Sequence, residues 1–280
     1  MLENSPVVAS ALPNGLDLSF LQDFYLRLPF LKREGCFSLG PLGSTTVLAR
    51  LLATAGADVI ATRQGHISQS TDYEALRADG YTVGVRHAQQ HDQGLANLAR
   101  GFEELLKGPV DIHFYATPAG NRGFDWHYDA EEVFVLQTGG AKTWWLKKNT
   151  VNPWPLMDAI PQDQRFEREV MGAVKYELHE GDWLYIPSGY WHRTSAETDS
   201  CSLSVGIRAA TAMDVYELLR PLLFRSLLWR QRLPLPGSTA DPDGLRRQYG
   251  AIVDDLAQDL YELLHNEQFI QTMMNHPLRH

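Results

Sequence analysis

Apolar positions along the chain change their period twice. Before residue 109 they recur mostly at helical intervals. Residues 16–21 and 46–55 open amphipathic segments, and 93–106 sets Leu95, Leu98, Phe102 and Leu105 on one face. Ser70-Thr71-Asp72 predicts a helix start and Gly80 its stop, and 82–85 predicts a strand. Beyond Gly108-Pro109 the pattern shifts to short runs rich in β-branched and aromatic residues, at 110–116, 132–137, 141–147, 174–178, 182–186 and 201–207. Gly139-Gly140, between the second and third runs, predicts a hairpin. Asn152-Pro153-Trp154-Pro155 then opens an excursion before the fourth run. Helical spacing returns over 214–229 and 244–274, split by Leu233-Pro234-Leu235-Pro236-Gly237.

This partition predicts an α+β chain with a mainly β core. An N-terminal wrapper of mixed helix and strand covers 1–109, a sandwich or barrel covers 110–210, and a helical region covers 211–280. Composition narrows the function. Acidic residues number 34 against 25 basic ones, which argues against a sequence-independent grip on nucleic acid. Cys36 and Cys201 cannot build a disulfide framework or a four-thiolate zinc site. No run reaches the ~18 apolar residues of a membrane span. The start lacks the basic-then-apolar order of a secretory leader, so a cytoplasmic location is expected. Of seven tryptophans, six fall between Trp126 and Trp191, which is expected to mark the limits of the barrel.

The candidate chemistry sits in that region. His127-Tyr128-Asp129 spaces an imidazole and a carboxylate two apart, so on an extended strand both reach one ion. His265-Asn266-Glu267 has the same spacing in a helical pattern, where such positions diverge by about 200°. Downstream runs Gly181-Asp182-Trp183-Leu184-Tyr185-Ile186-Pro187-Ser188-Gly189-Tyr190-Trp191-His192. Here a Gly-Asp turn launches an apolar strand and Pro-x-Gly bends it. In an antiparallel barrel that returns His192 to the same interior. Two histidines and one carboxylate leave coordination positions open, which suits non-haem Fe(II) and oxygen better than zinc. Lys142 opens the run after the glycine pair. Pointing inward it needs an anion, pointing outward it is a surface charge, and spacing leaves both open.

Tyr115-Ala116-Thr117-Pro118-Ala119-Gly120, His127-Tyr128-Asp129, Glu132-Val133-Phe134-Val135-Leu136-Gln137 and the Lys142 run closely resemble the JmjC-type 2-oxoglutarate oxygenases. The nearest branch is the ribosomal oxygenases, cupin-like protein hydroxylases, and the Gly181–His192 segment is similar to their distal-histidine motif. The resemblance implies a double-stranded β-helix (jelly-roll) core and an Fe(II)- and 2-oxoglutarate-dependent dioxygenase that uses O2. In it His127, Asp129 and His192 would bind the metal and carry catalysis. Lys142, fifteen residues after the first histidine, would pair with the distal carboxylate of 2-oxoglutarate, with Tyr115 beside the co-substrate. This sequence departs from the family at His113, where a small amide is expected. It departs again at Gly206, where a hydroxyl is expected, leaving Ser202 or Ser204 to contact the co-substrate. The winged-helix domain of ribosomal oxygenases is not expected before His280.

The implied substrate is a protein or peptide side chain, with ribosomal proteins as candidates and Trp126 and Tyr128 expected to touch it. An acidic surface suits a basic partner. A homodimer through the C-terminal helices is expected by analogy. The alternatives are a hydroxylase of a free amino acid or small metabolite, and a metal-binding cupin without turnover.

Overall fold

Odd and even positions of the runs at 110–116, 132–137 and 201–207 go to opposite sides of one large sheet. The computed structural model describes residues 12–68, 70, 72–156, 171–236 and 241–275. Its first half holds α1 (Leu18–Asp23), β1 (Phe30–Lys32), α2 (Thr45–Leu52), β2 (Asp58–Arg63), β3 (His66–Ser68), α3 (Tyr73–Ala78), β4 (Thr82–Arg86) and α4 (Gln93–Leu106). There follow β5 (Val110–Thr117), β6 (Glu132–Gly139), β7 (Ala141–Lys147), β8 (Val174–His179), β9 (Trp183–Ile186), β10 (Trp191–Ala196) and β11 (Ser200–Ile207). The chain then turns helical as α5 (Ala212–Arg225), α6 (Pro242–Leu264) and α7 (Glu267–Asn275).

The large sheet has the order β1-β9-β6-β11-β5-β4-β2-β3, and the small one β10-β7-β8. Register aligns Phe114, Leu203 and Leu136 across β5, β11 and β6, with Ile112, Val205 and Phe134 beside them on the same face. That face buries Leu95, Leu98 and Phe102 of α4 and Phe20 of α1. Helix α4 starts where Asp92 accepts a hydrogen bond from the Leu95 N–H at 3.0 Å. Phe20 lies 5.3 Å from the Tyr185 ring and 5.5 Å from Trp183, edge-on to both. Each such side chain stabilises the fold by ~1.5–3 kcal/mol. The Tyr185 hydroxyl accepts from the Leu26 N–H at 2.7 Å and donates to Glu132, so the core leaves neither polar group unpaired.

On the other face Val133, Val135, Leu184 and Ile186 pack against Trp144, Leu146 and Leu178 of the small sheet. Two antiparallel sheets thus face one another, the double-stranded β-helix expected of the sequence. Several expectations need correction. Gly139-Gly140 does not close a hairpin, since β6 pairs with β9 and β11 whereas β7 pairs with β8 and β10. All of β6 before Gly139 is buried, so it takes a mid-sheet place, and Gly140 (φ +67°) carries the chain into the other sheet. A side chain there would meet the Asp199 carbonyl at 2.0 Å. Strand β10 was not among the six predicted runs, because its His-Arg-Thr-Ser sequence lacks an apolar pattern. The region before residue 110 does more than wrap, as β1 to β4 supply half of the large sheet. The tryptophans do not delimit the barrel either. Trp183 is buried in the helix-facing core, while Trp154 is 84% exposed.

The described chain falls into two compact units, divided between Ala209 and Ala210. In the second, Thr211 and Asp214 form a capping box for α5, and Asp241 with Pro242 starts α6. Trp229 donates to Asp259 at 2.7 Å and Tyr249 to the Pro234 carbonyl at 2.7 Å. The predicted 244–274 helix breaks at His265-Asn266, where the Asn266 side chain accepts from the Gln268 and Phe269 N–H groups and starts α7. Parts of the excursion after Asn152 and of the 233–237 breaker lie outside the described residues.

Candidate functional site

His127 and His192 meet as an isolated antiparallel bridge, each backbone N–H donating to the other's carbonyl, at 3.1 and 2.7 Å. Their rings sit 4.2 Å apart. The loop beyond His127 is pinned where the Gly189 N–H donates to the Asp129 carbonyl at 2.8 Å. The His-x-Asp segment is therefore a bridged loop, not the extended strand expected. Asp129 Oδ2 still lies 3.5 Å from His192 Nε2, and one ligand atom from each of the three residues falls within 4.8 Å of the others. Among the described residues this is the one such cluster.

Both rings are oriented by carbonyls two residues back. His127 Nδ1 lies 2.7 Å from the Asp125 oxygen, and His192 Nδ1 lies 3.0 Å from the Tyr190 oxygen. A carbonyl only accepts, so each Nδ1 carries the proton and each Nε2 keeps its lone pair. Burial pushes His192 down to about 4, with His127 adding to the shift and Asp129 opposing it, which holds the ring neutral. Two imidazole Nε2 atoms and a carboxylate on one side fit a hard-to-borderline divalent ion with positions left over.

These groups line a cavity of about 260 Å³ between the two sheets. His113 and Tyr115 of β5 and Ser202 and Ser204 of β11 share its wall, Ser204 beside His113 and Ser202 beside Tyr115. Burial, reinforced by Asp129, raises Tyr115 above its ordinary value and keeps the phenol protonated. The His87 N–H donates to His113 Nδ1 at 3.3 Å, so the neutral ring carries its proton on Nε2. Burial, together with His87, lowers its pKa.

Lys142, on the central strand of the small sheet, points inward: it is 4% exposed and lines the cavity. It makes no hydrogen bond or ion pair with a described residue, and burial pushes it down to about 8. Such an ammonium is stable only with an anion or after losing its proton. Trp126 and Tyr128 do not line the cavity. Trp126 packs under Lys147 at 4.5 Å and Arg193 at 5.0 Å, and Tyr128 meets Trp191 edge-on at 4.7 Å.

Two charged cavity residues were not among those expected from the sequence. Arg86 closes one side while pairing with Asp58 at 2.9 Å. Glu131 shares a face with Val133 and Val135 through the two-residue period, a signal that was present but masked by the adjacent Glu132. Burial pushes Glu131 up to about 7, with Asp129 and Asp111 adding repulsion and Arg208 opposing.

Residues 85–215 match the JmjC domain family. Over that span, a little under half of its length, the chain is similar to the JmjC domain. All four residues of the motif reading, His127, Asp129, Lys142 and His192, fall inside it. Among curated proteins it is similar to the bifunctional lysine-specific demethylase and histidyl-hydroxylase NO66 of Dictyostelium discoideum, at 29% identity over 153 residues, 53% of this chain and 29% of that protein. It is similar also to NO66 of Culex quinquefasciatus, at 25% identity over 255 residues, covering 84% of this chain and 39% of the relative. This chain therefore spans well under half the length of these relatives. Among solved structures, the ribosomal oxygenase YcfD of Escherichia coli, in complex with cobalt and 2-oxoglutarate, superposes with a TM-score of 0.62. Identity there is 22%, over 90% of this chain and 67% of that one, and the likeness is one of fold.

Proposed function

We propose that this chain is an Fe(II)- and 2-oxoglutarate-dependent oxygenase that hydroxylates a protein or peptide side chain. The observation that carries the reading is one cavity holding both a two-histidine, one-carboxylate face and a buried lysine without a described partner. His127 and His192 would hold Fe(II) through their Nε2 atoms and Asp129 through a carboxylate oxygen. Lys142 would receive the distal carboxylate of 2-oxoglutarate in a charge-assisted pair, which offsets the desolvation of its ammonium. Tyr115 and Ser204 offer hydroxyls on the same wall. Bound iron, with 2-oxoglutarate and O2, supplies the oxidative decarboxylation that gives succinate and drives hydroxylation. The chain's own part is orientation: the Asp125 and Tyr190 carbonyls hold the rings.

Purified protein given Fe(II), 2-oxoglutarate and O2 is expected to form succinate, and Asp129→Ala to form almost none. Equal amounts from both would overturn the reading. A protein substrate is favoured by the names of the relatives, histidyl-hydroxylase and ribosomal oxygenase. Ribosomal proteins incubated with the enzyme should gain one oxygen in intact-mass spectra; gain only on a free amino acid would move the function to the small-molecule alternative. Such a substrate would place the protein in the cytoplasm. Among the described residues no helix is long and apolar enough to cross a membrane. Helices α5 to α7 are the candidate dimerisation segment, and sedimentation at micromolar concentration tests it.

A further inference from the structure

Gly206 lies in register with Val133 of β6 and Asp111 of β5. A Cβ at that position would stand 2.3 Å from Glu131 Oε2 and 2.9 Å from its Cδ. The missing side chain is the space that the Glu131 carboxylate occupies. The backbone does not itself demand glycine, since Gly206 is absent from the positive-φ residues.

Glu131 shares the cavity with the metal-binding candidates, half-buried and hydrogen-bonded to no described residue. A carboxylate drawn out of water without a donor is unfavourable, and a ligand that brings an N–H removes that penalty. The other polar groups nearby do not fill this role. Arg86 is engaged with Asp58, His113 holds its Nδ1 toward His87, and Arg208, whose charge acts on Glu131, forms no ion pair with it among the described residues. Position along β6 separates the two ends of the cavity: Glu131 precedes the strand on the Asp129 side, whereas Lys142 follows its far end.

We propose that Glu131, seated in the space left by Gly206, is a specificity-determining residue that binds a cationic, N–H-donating side chain of the substrate, at the opposite end of β6 from Lys142. What becomes of the bound side chain rests on the oxygenase reading above; its binding does not. A cation answers the Glu131 carboxylate with both charge and hydrogen bond, a neutral amide satisfies only the hydrogen bond, and an acidic side chain is repelled.

The test uses pentapeptide libraries with random flanks and a central arginine, lysine, glutamine or leucine. Their binding to the full chain is measured without O2, by calorimetry. The wild type should bind a cationic library at least about tenfold more tightly than the glutamine and leucine ones. Glu131→Gln removes the charge with little change of shape. Gly206→Ala displaces the carboxylate, and because the clash is with the free end of a flexible side chain the variant should fold. Both variants should lose the preference. No preference in the wild type, or an unchanged one in both variants, would overturn the proposal. Succinate formation by the wild type is followed separately, and its absence would overturn the oxygenase reading while the binding data decide this one.

Discussion

The two faces of the large sheet come from the same strands and do opposite things. On the helix side Ile112, Phe114, Phe134, Leu136, Leu203 and Val205 are completely buried in an apolar cluster. One residue further along each strand, the cavity side presents His113, Tyr115, Ser202, Ser204 and, just before β6, Glu131. A fully packed face has no room for a ligand, and an apolar cavity has nothing to orient one. Alternation lets a single sheet have both, so stability and binding should respond to different halves of the same strands.

The largest expected effect is on the cavity side. Asp129→Ala should lower Fe(II) binding more than about 100-fold, beyond what loss of a merely supporting group produces, with the melting temperature little changed. Metal titration reads this, and a variant that kept its iron would remove Asp129 from the site. The mirror experiment is Phe134→Ala. It should cost ~3–5 kcal/mol of stability in denaturant unfolding while leaving iron affinity near wild type. If both fell together, the two faces would not be separable.

Lys142→Met sharpens the contrast, because its two consequences have opposite signs. Removing a buried ammonium without a described partner should raise the melting temperature, yet the KM for 2-oxoglutarate should rise on the order of 30-fold. An unchanged KM would mean that another group holds the co-substrate. The smallest effect is on pH. The folded pKa of Lys142 is depressed to about 8, so between there and lysine's ordinary value the unfolded chain binds more protons than the folded one. Lys142 therefore makes the ligand-free protein more stable as pH rises through that window, while 2-oxoglutarate, which needs the charged form, binds more weakly. Flat KM values across it in the wild type would contradict the assignment.

Much of this was legible in residue order. Helix α4, the seven runs that became β4 to β9 and β11, and the His-x-Asp, Lys and distal His spacing are local patterns, carried by residues within one element or one motif. Strand β10 was not legible because it is held by β7 and by the His127 bridge, not by a pattern of its own. Glu131 looked like one of two acids opening a strand, though Glu132 belongs to the Tyr185 core and Glu131 to the cavity.

By itself, the sequence determined which residues could ligate a metal and which strands could form, because side-chain type and period are properties of neighbours along the chain. Only the tertiary structure decided that β6 and β7 enter different sheets and that Lys142 points inward. It also decided that Asp125 and Tyr190 set the imidazole protons and that Gly206 makes room for Glu131. The reason is physical: when a strand is apolar on both faces, alternation no longer says which side is which, and the answer passes to whatever packs against it.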